Sequence, residues 1–168
     1  MSQPRRTTRD GEAVSARRRE AQRHFPPAIG DSYDEARRLP LSHFVNRLEM
    51  LTFFGAFSAG KLTGFLAYVR EDGLKIDHRA WIMSAYVSPA HRGTGAADAL
   101  MQAALAQARA DGVLQAELYV SSAAPRAQAF YARHSFERVG VAPRALRVND
   151  MFHDEWHMIR RLDGDLTA

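Results

Sequence analysis

The segment SPAHRGTGAADAL, residues 88–100, most constrains how this chain can fold. It follows an apolar run at residues 81–87 that is typical of a buried strand, and it leads into apolar residues spaced as in a helix. Gly93 and Gly95 stand where that helix begins, although glycine destabilises helix interiors. A strand, a glycine-containing loop and a helix in this order predict a layered α/β unit with helix amides exposed at the loop.

The glycine loop has two interpretations. In the first, unpaired N–H groups and the positive end of the helix dipole form an anion site, to which Arg92 adds a charge-assisted hydrogen bond. In the second, Gly93 and Gly95 only relax a tight turn between strand and helix. A dinucleotide-binding fingerprint is disfavoured because it needs a third glycine where Asp98 stands. The residues alone leave the first two interpretations open.

Patterns along the rest of the chain predict two helices, a β-hairpin and then alternating strands and helices. Asp10 is placed to cap the first helix, and Pro125 is a favourable first residue for the last one. The predicted helices span residues 10–24, 41–49, 95–110 and 125–134, and the predicted strands span residues 51–59, 62–70, 81–87, 114–120, 139–148 and 151–161. This order predicts one mixed α/β domain over residues 1–168.

The composition excludes several classes of protein. The chain has 168 residues and no cysteine, which excludes disulfides, thiolate metal sites and a cysteine nucleophile. No apolar segment is long enough to span a bilayer or form a signal peptide, so we expect a soluble, cytoplasmic protein with no membrane partner. The net charge of +4 resides in residues 1–25, where seven arginines face three acids. We interpret this basic arm as a solvated helix face, since it lacks the interleaved aromatic residues of a nucleic-acid arm.

Two further patterns are weak. GAFSAGKL, residues 55–62, has the spacing of a phosphate-binding P-loop, but Leu62 replaces the hydroxyl residue that holds magnesium, and strand-like sequence surrounds the segment. HDEWH, residues 153–157, lacks the metalloprotease spacing. Residues four apart on a strand are about 13 Å from one another, so we expect no metal site there.

Two segments resemble those of a known enzyme superfamily. AYVSPAHRGTGAADAL, residues 85–100, is similar to the acyl-CoA-binding segment of the GNAT N-acetyltransferases, whose R/Q-x-x-G-x-G/A signature corresponds to Arg92, Gly95 and Ala97. FYARHSF, residues 130–136, resembles a later segment of the same superfamily. The resemblance implies a GNAT-like mixed, mostly antiparallel central sheet of about six to seven strands flanked by helices. It also implies transfer of an acetyl group from acetyl-CoA to a primary amine.

The resemblance covers residues 51–161 well and implies roles for individual residues. The pantetheine arm would pair with the main chain of Ala85, Tyr86 and Val87, and the pyrophosphate would lie on the amides of Arg92, Gly93, Thr94, Gly95, Ala96 and Ala97. Tyr131 would sit beside the thioester sulfur as the catalytic residue. Two positions depart from the family pattern: Ala124 replaces a cofactor-binding asparagine, and Ser135 replaces a glycine.

A general base is missing from the position where some members of the superfamily carry glutamate, because Tyr119 stands there. Glu117, Asp154 and Glu155 are alternatives, each expected to be an ordinary surface acid. At pH 7, deprotonating a lysine-type amine costs about 4.6 kcal/mol, against about 1.4 kcal/mol for an α-amino group. We therefore expect an acceptor amine of low pKa, or a base that acts through water. Trp81 is a candidate for the wall of the acceptor pocket or, more ordinarily, for the core.

Direct transfer in a ternary complex is expected, because a chain without cysteine has no acyl-cysteine route. Tyr131 is a weak proton donor to the sulfur, since a tyrosine has a reference pKa near 10 against about 8.5 for a thiol. Its helical spacing alone would make it a core aromatic. The alternative function is a noncatalytic acyl-CoA-binding or regulatory module whose basic arm contacts nucleic acid. A homodimer is left open.

Overall fold

The computed structural model describes residues 4–6, 10–26 and 33–164. Its helices are α1 (Gly11–His24), α2 (Tyr33–Ala36), α3 (Leu41–Met50), α4 (Ala96–Ala110) and α5 (Pro125–Arg133). Its strands are β1 (Arg5–Arg6), β2 (Thr52–Ser58), β3 (Lys61–Arg70), β4 (Arg79–Val87), β5 (Gln115–Ser121), β6 (Glu137–Val148) and β7 (Met151–Arg161). The sequence patterns predict all of these except β1 and α2, which are too short to carry a periodic pattern.

The described strands form one sheet in the order β1-β2-β3-β4-β5-β7-β6. Neighbouring strands are antiparallel except for β4 and β5, which are parallel and joined through α4. A parallel pair needs such a crossover because the chain must return to the same edge of the sheet before the second strand begins. The expected mixed, mostly antiparallel α/β sheet is thus confirmed, whereas one domain over residues 1–168 stays a prediction.

β4 and β5 pair only near their first residues, and the pairing stops at Trp81 and Glu117. A β-bulge in β4 accompanies this break, since Leu66 of β3 faces two residues of β4, Ser84 and Ala85. Ser84 has a φ of +54°, in the left-handed region that residues other than glycine seldom adopt. The second half of β4 therefore leaves its parallel neighbour, and the sheet opens there.

Apolar side chains pack on both faces of the sheet. On one face α4 packs against the sheet through a core that includes Ile82, Leu100, Met101, Leu105 and Leu118. On the other face α1 packs through a core that includes Val14, Phe53, Phe57, Leu62 and Phe65. Successive strand residues point to opposite faces, which is why neighbouring residues of β2 and β3 belong to different cores. None of the helices in the described part of the chain is long and apolar enough to cross a lipid bilayer.

α1 confirms the predicted first helix but not its predicted exposure. Arg18 is 2% exposed and donates to Ser84 Oγ at 2.8 Å, and Arg17 Nε donates to a main-chain carbonyl of β3 at 2.9 Å. The interpretation of the arm as a solvated helix face is therefore wrong for this side of α1. Arginine is buried in this way when its stem packs on apolar surface and its head group is hydrogen-bonded. Residues 1–3 and 7–9 of the arm lie outside the described residues.

Gly64 of β3 leaves no room for a side chain, because a Cβ there would lie 2.8 Å from the main-chain oxygen of Tyr86. Gly64→Ala should lower the free energy of unfolding by about 1–3 kcal/mol, the usual range for overpacking. Gly140→Ala is the matched control, since a Cβ there would meet His157 Cβ at an ordinary 3.9 Å. Urea denaturation followed by circular dichroism measures both variants. Equal unfolding midpoints would contradict this close approach of β3 and β4.

Candidate functional site

A cleft of about 740 Å³ opens beside the end of β4, in the half of that strand that is not paired with β5. Its walls come from the end of β4, the loop before α4, the first turns of α4, and α5. The predicted site residues that line it are Ala85, Tyr86, Val87, Arg92, Gly93, Gly95, Ala96, Ala97 and Tyr131. Thr94 is not among the lining residues; its Oγ1 donates to the carbonyl oxygen of His91 at 2.7 Å and closes the turn.

The first turn of α4 leaves its amides without helical acceptors. Gly95 is the N-cap residue, and Ala99 N donates to Gly95 O at 3.0 Å, so the amides of residues 96–98 precede the helical hydrogen bonds. Gly93 and Gly95 have φ values of +73° and +81°, which glycine adopts without strain. A Cβ at either glycine would meet no described atom within 4 Å. The loop therefore needs glycine for its conformation, and the helix end beside it can bind an anion.

Basic side chains line the cleft, namely those of His24, His91, Arg92, Arg126 and Arg133. Arg92 Nε donates to the Val87 carbonyl oxygen at 3.2 Å, which holds this side chain near the end of β4. Asp98 also lines the cleft, but its carboxylate is 2.9 Å from His134 Nε2 and 3.8 Å from Arg133. The wall thus carries an excess of positive charge, which suits a ligand with several phosphates.

Tyr131 belongs both to the cleft wall and to the edge of the core. Its ring packs edge-on against Phe130 and Phe136, with centroid distances of 5.4 and 6.0 Å. Burial raises the pKa of Tyr131 to about 12. The hydroxyl therefore stays protonated near neutral pH and can donate a hydrogen bond to a group in the cleft.

The hydroxyl of Tyr86, another lining residue, is buried and has no hydrogen-bond partner of normal geometry among the described residues. Desolvation raises the pKa of Tyr86 to about 12, and the nearby Glu20 carboxylate adds to this rise.

The two departures from the family pattern have different consequences. Ala124 lines the cleft with a methyl group and offers no side-chain hydrogen bond to a ligand. Ser135 has a φ of +59°, the conformation that glycine would adopt with less strain. The turn still forms, because the Ser135 amide donates to the Ala132 carbonyl oxygen at 2.9 Å.

Glu117 is 1% exposed, so the prediction that it is an ordinary surface acid is wrong. Arg79 donates to it through Nε and, at 2.8 Å, through Nη2. Gln115 Nε2 and His157 Nε2 donate at 2.8 and 2.9 Å. Burial by itself would raise the pKa of Glu117, but these hydrogen bonds and the Arg79 charge lower it to about 2. A carboxylate whose oxygens accept four hydrogen bonds is not available as a general base.

The other two candidate acids are half-buried and do not line the cleft. Asp154 Oδ1 accepts a hydrogen bond from the Arg144 amide at 2.8 Å. Burial raises the pKa of Glu155. Neither acid is placed beside the predicted cofactor residues.

Trp81, Tyr119 and His157 form an aromatic cluster on the sheet face opposite α4. Their ring centroids are 4.9 to 5.7 Å apart, with interplanar angles of 11° to 23°. Trp81 is half-buried rather than a core residue, and its Nε1 donates to Glu71 at 2.6 Å. Sequence patterns do not identify His157 as a member, because only the register of β5 and β7 places it opposite Tyr119.

The two weak motifs are accounted for by ordinary structure. Residues 55–62 belong to the hairpin of β2 and β3, so no helix follows their glycine-lysine pair. No three histidine, aspartate or glutamate side chains in the described part of the chain converge closely enough to hold a metal ion.

Glu117 should contribute a pH-dependent part of the stability. Because its folded-state pKa is about 2, below the ordinary 4.5, this stabilisation is complete above pH 4.5 and is lost as the pH falls toward 2. The loss is on the order of a few kcal/mol, since each pKa unit corresponds to about 1.4 kcal/mol.

Glu117→Gln should lack this component and unfold at a lower urea concentration at neutral pH. Glu137→Gln, at an exposed position of β6, should keep the wild-type dependence. Urea titrations between about pH 2 and 7 measure the effect. If the free energies of unfolding of the wild type and Glu117→Gln change with pH in parallel, Glu117 is not the source of this pH dependence.

Several known proteins are similar to this chain in sequence. The model of the acetyltransferase (GNAT) family matches residues 16–136. Uncharacterized N-acetyltransferases of Mycobacterium tuberculosis (strain H37Rv) and Mycobacterium bovis are each 33% identical to the chain over 103 residues. The match covers 61% of this chain and 62% of each relative, so the chain spans less than two thirds of the length of these relatives.

Solved structures share the fold at low sequence identity. A GNAT-family acetyltransferase from Streptococcus pneumoniae has a TM-score of 0.84 at 17% identity, covering 95% of this chain and 98% of that one. A putative acetyltransferase from Salmonella typhimurium, solved with acetyl-CoA, has a TM-score of 0.79 at 20% identity, covering 97% and 95%. Brucella melitensis ribosomal-protein-alanine N-acetyltransferase has a TM-score of 0.81 at 20% identity, covering 95% and 99%. These structures establish the fold. Because the family model matches more than half of the chain, the chain belongs to the acetyltransferase (GNAT) family.

Proposed function

We propose that this chain is an acetyl-CoA-dependent N-acetyltransferase that transfers an acetyl group directly to a primary amine in a ternary complex. The observation that carries the proposal is the cleft beside the end of β4, which is lined both by the amide-rich start of α4 and by Tyr131. Membership of the GNAT family supports it. So does the Salmonella typhimurium neighbour, whose structure contains acetyl-CoA.

The residues present fit coenzyme A. Unpaired amides at the start of α4 and the side chain of Arg92 supply hydrogen bonds and positive charge for a pyrophosphate. The cleft volume of about 740 Å³ lies within the usual range for ligand sites. The proposed cofactor contacts are the main chain of Ala85, Tyr86 and Val87 for the pantetheine arm, and the amides of Arg92, Gly93, Thr94, Gly95, Ala96 and Ala97 for the pyrophosphate.

The reaction forms a C–N bond and breaks the C–S bond of the thioester. Tyr131 is proposed to stabilise the leaving sulfur, because Tyr131 lines the cleft and its raised pKa keeps the hydroxyl protonated. Its raised pKa makes full proton transfer to a thiolate unfavourable, so hydrogen bonding is its main contribution. The absence of cysteine from the sequence supports direct transfer over an acyl-cysteine intermediate.

We propose an α-amine as the acceptor. Glu117 is held ionised by Arg79 and does not act as a base. An α-amine is neutral far more often than a lysine side chain at pH 7, by roughly two orders of magnitude. The Brucella melitensis neighbour is named for acetylation of a ribosomal-protein alanine, which supports a peptide N-terminus as the first acceptor to test.

Gly95→Ala should weaken acetyl-CoA binding by about tenfold or more, because a Cβ and a strained φ disturb the proposed pyrophosphate site. Gly112→Ala is the matched control: its φ is +74°, its Cβ would also meet no described atom, and it follows the other end of α4. Both variants should lose similar stability, but only Gly95→Ala should lose affinity. Isothermal titration calorimetry measures both. No heat with wild-type protein, or equal affinities for the two variants, would contradict the cofactor site.

A thiol-release assay tests the reaction itself. A lysine-free peptide with an N-terminal alanine should release coenzyme A faster at pH 7 than an N-acetylated peptide with one lysine, by up to about 10². Equal rates for the two peptides would reject the α-amine.

Tyr131→Phe should lower kcat by about 10²-fold while the acetyl-CoA Kd stays near the wild-type value. Acetyl-CoA binding without thiol release from any amine would favour the noncatalytic module instead.

A further inference from the structure

Two arginines of α5, Arg126 and Arg133, line the cleft but have no part in the cofactor contacts proposed above. Both side chains are exposed. Arg126 has no hydrogen bond or ion pair within the described part of the chain. Arg133 Nη2 is 3.8 Å from Asp98 Oδ1, beyond hydrogen-bond distance, and that oxygen is already 2.9 Å from His134 Nε2. Both guanidinium groups therefore keep donors available for a ligand in the cleft.

Arg126 and Arg133 share one face of α5 with Phe130, which we call the arginine face. Residues spaced by four and then three positions lie above one another on a helix, and all three line the cleft. The guanidinium carbon of Arg133 is 5.7 Å from the centre of the Phe130 ring, a cation–π contact that holds this side chain along the helix. Seven residues of helix rise by about 10 Å, so the two arginines lie near opposite ends of this face.

The arginine face begins beside the proposed pyrophosphate site. Asp98, which Arg133 approaches, belongs to the first turn of α4, where the amides without helical acceptors lie. Tyr131 belongs to a different side of α5, because two residues of helix turn it by about 200° from Arg133. The positive charge of the arginine face is therefore on the side of α5 that approaches the phosphate end of the cleft, away from the tyrosine proposed to meet the sulfur.

Coenzyme A carries a second anionic group besides its pyrophosphate, a phosphate monoester on the 3′ oxygen of its ribose. Such a monoester has a charge of about −1.5 to −2 at pH 7. The amides at the start of α4 and the side chain of Arg92 account for the pyrophosphate. The 3′-phosphate is then the anionic group of the cofactor that still needs partners, and the arginine face supplies two cations without strong partners of their own.

Building on the proposed use of acetyl-CoA, we propose that Arg126 and Arg133 bind the 3′-phosphate and make the chain discriminate coenzyme A from its 3′-dephospho form. A guanidinium group suits this ligand because its N–H donors pair with two phosphate oxygens at once. An acidic acceptor peptide is the other anion that this face would attract. The cofactor is favoured because the approach of Arg133 to Asp98 places the arginine face beside the start of α4.

Isothermal titration calorimetry of the full chain with coenzyme A and with 3′-dephospho-coenzyme A tests this assignment. The wild type should bind coenzyme A about tenfold or more tightly than the dephospho form, since the 3′-phosphate adds charge-assisted hydrogen bonds. Arg126→Gln and Arg133→Gln should each lose part of this preference, and the double variant should bind the two ligands equally. Its affinity for the dephospho form should stay near the wild-type value, which shows at the same time that the variant is folded.

Arg109→Gln is the matched control. Arg109 is an exposed residue in the last turn of α4 and does not line the cleft, so this variant removes the same charge from a remote position. It should keep the full preference for coenzyme A. An equal loss of preference in Arg109→Gln would assign the effect to the overall charge of the protein and overturn the arginine face.

The outcomes separate this inference from the proposed function. A wild type that binds neither ligand overturns both. A wild type that acetylates the alanine peptide but binds the two ligands equally overturns the arginine face alone, and so does a preference that survives in the double variant. A preference that the double variant loses, in a chain that releases no thiol with any amine, supports the arginine face and overturns the transfer reaction.

A peptide with acidic residues after its N-terminal alanine tests the other anion. Thiol-release assays should give the wild type and the double variant the same KM for this peptide at saturating acetyl-CoA. A KM that rises in the double variant, while the preference for coenzyme A is unchanged, would assign the two arginines to the acceptor and overturn the proposal.

Discussion

The early separation of two parallel strands is the constraint on which the rest of this structure depends. Pairing of β4 with β5 stops at Trp81 and Glu117, and the bulge at Ser84 directs the second half of β4 away. Since α4 begins shortly after β4 ends, the opening of the sheet and the unpaired amides of the helix lie together. Arg18 of α1, buried against Ser84 Oγ, ties the first helix to the same bulge.

Charge is distributed differently on the two sides of the opening. The cleft wall presents basic side chains, and its one acidic lining residue, Asp98, is already paired with His134. On the far sheet face the acid Glu117 is buried, a costly arrangement unless every acceptor position is filled. Arg79, Gln115 and His157 fill those positions. The wall of the cleft thus keeps an excess of positive charge, whereas the buried Glu117 carboxylate is fully hydrogen-bonded.

The structural neighbours show how little of the sequence this architecture requires. Sheet order and helix placement agree with TM-scores of 0.79 to 0.84 at only 17% to 20% identity. Buried positions need apolar residues of suitable size rather than particular ones, so the fold persists while side chains change.

The family resemblance indicated nine of the ten predicted residues that line the cleft. The sequence by itself determined the order and type of the main helices and strands and the glycine turn at the start of α4. These are local properties, because apolar periodicity, glycine conformation and helix-end amides depend on residues close together in the chain. Only the tertiary structure decided that Glu117 is buried and that His157 lies within hydrogen-bond distance of it. That contact joins residues forty positions apart through the register of β5 and β7, and no local pattern records which strand residue will face which.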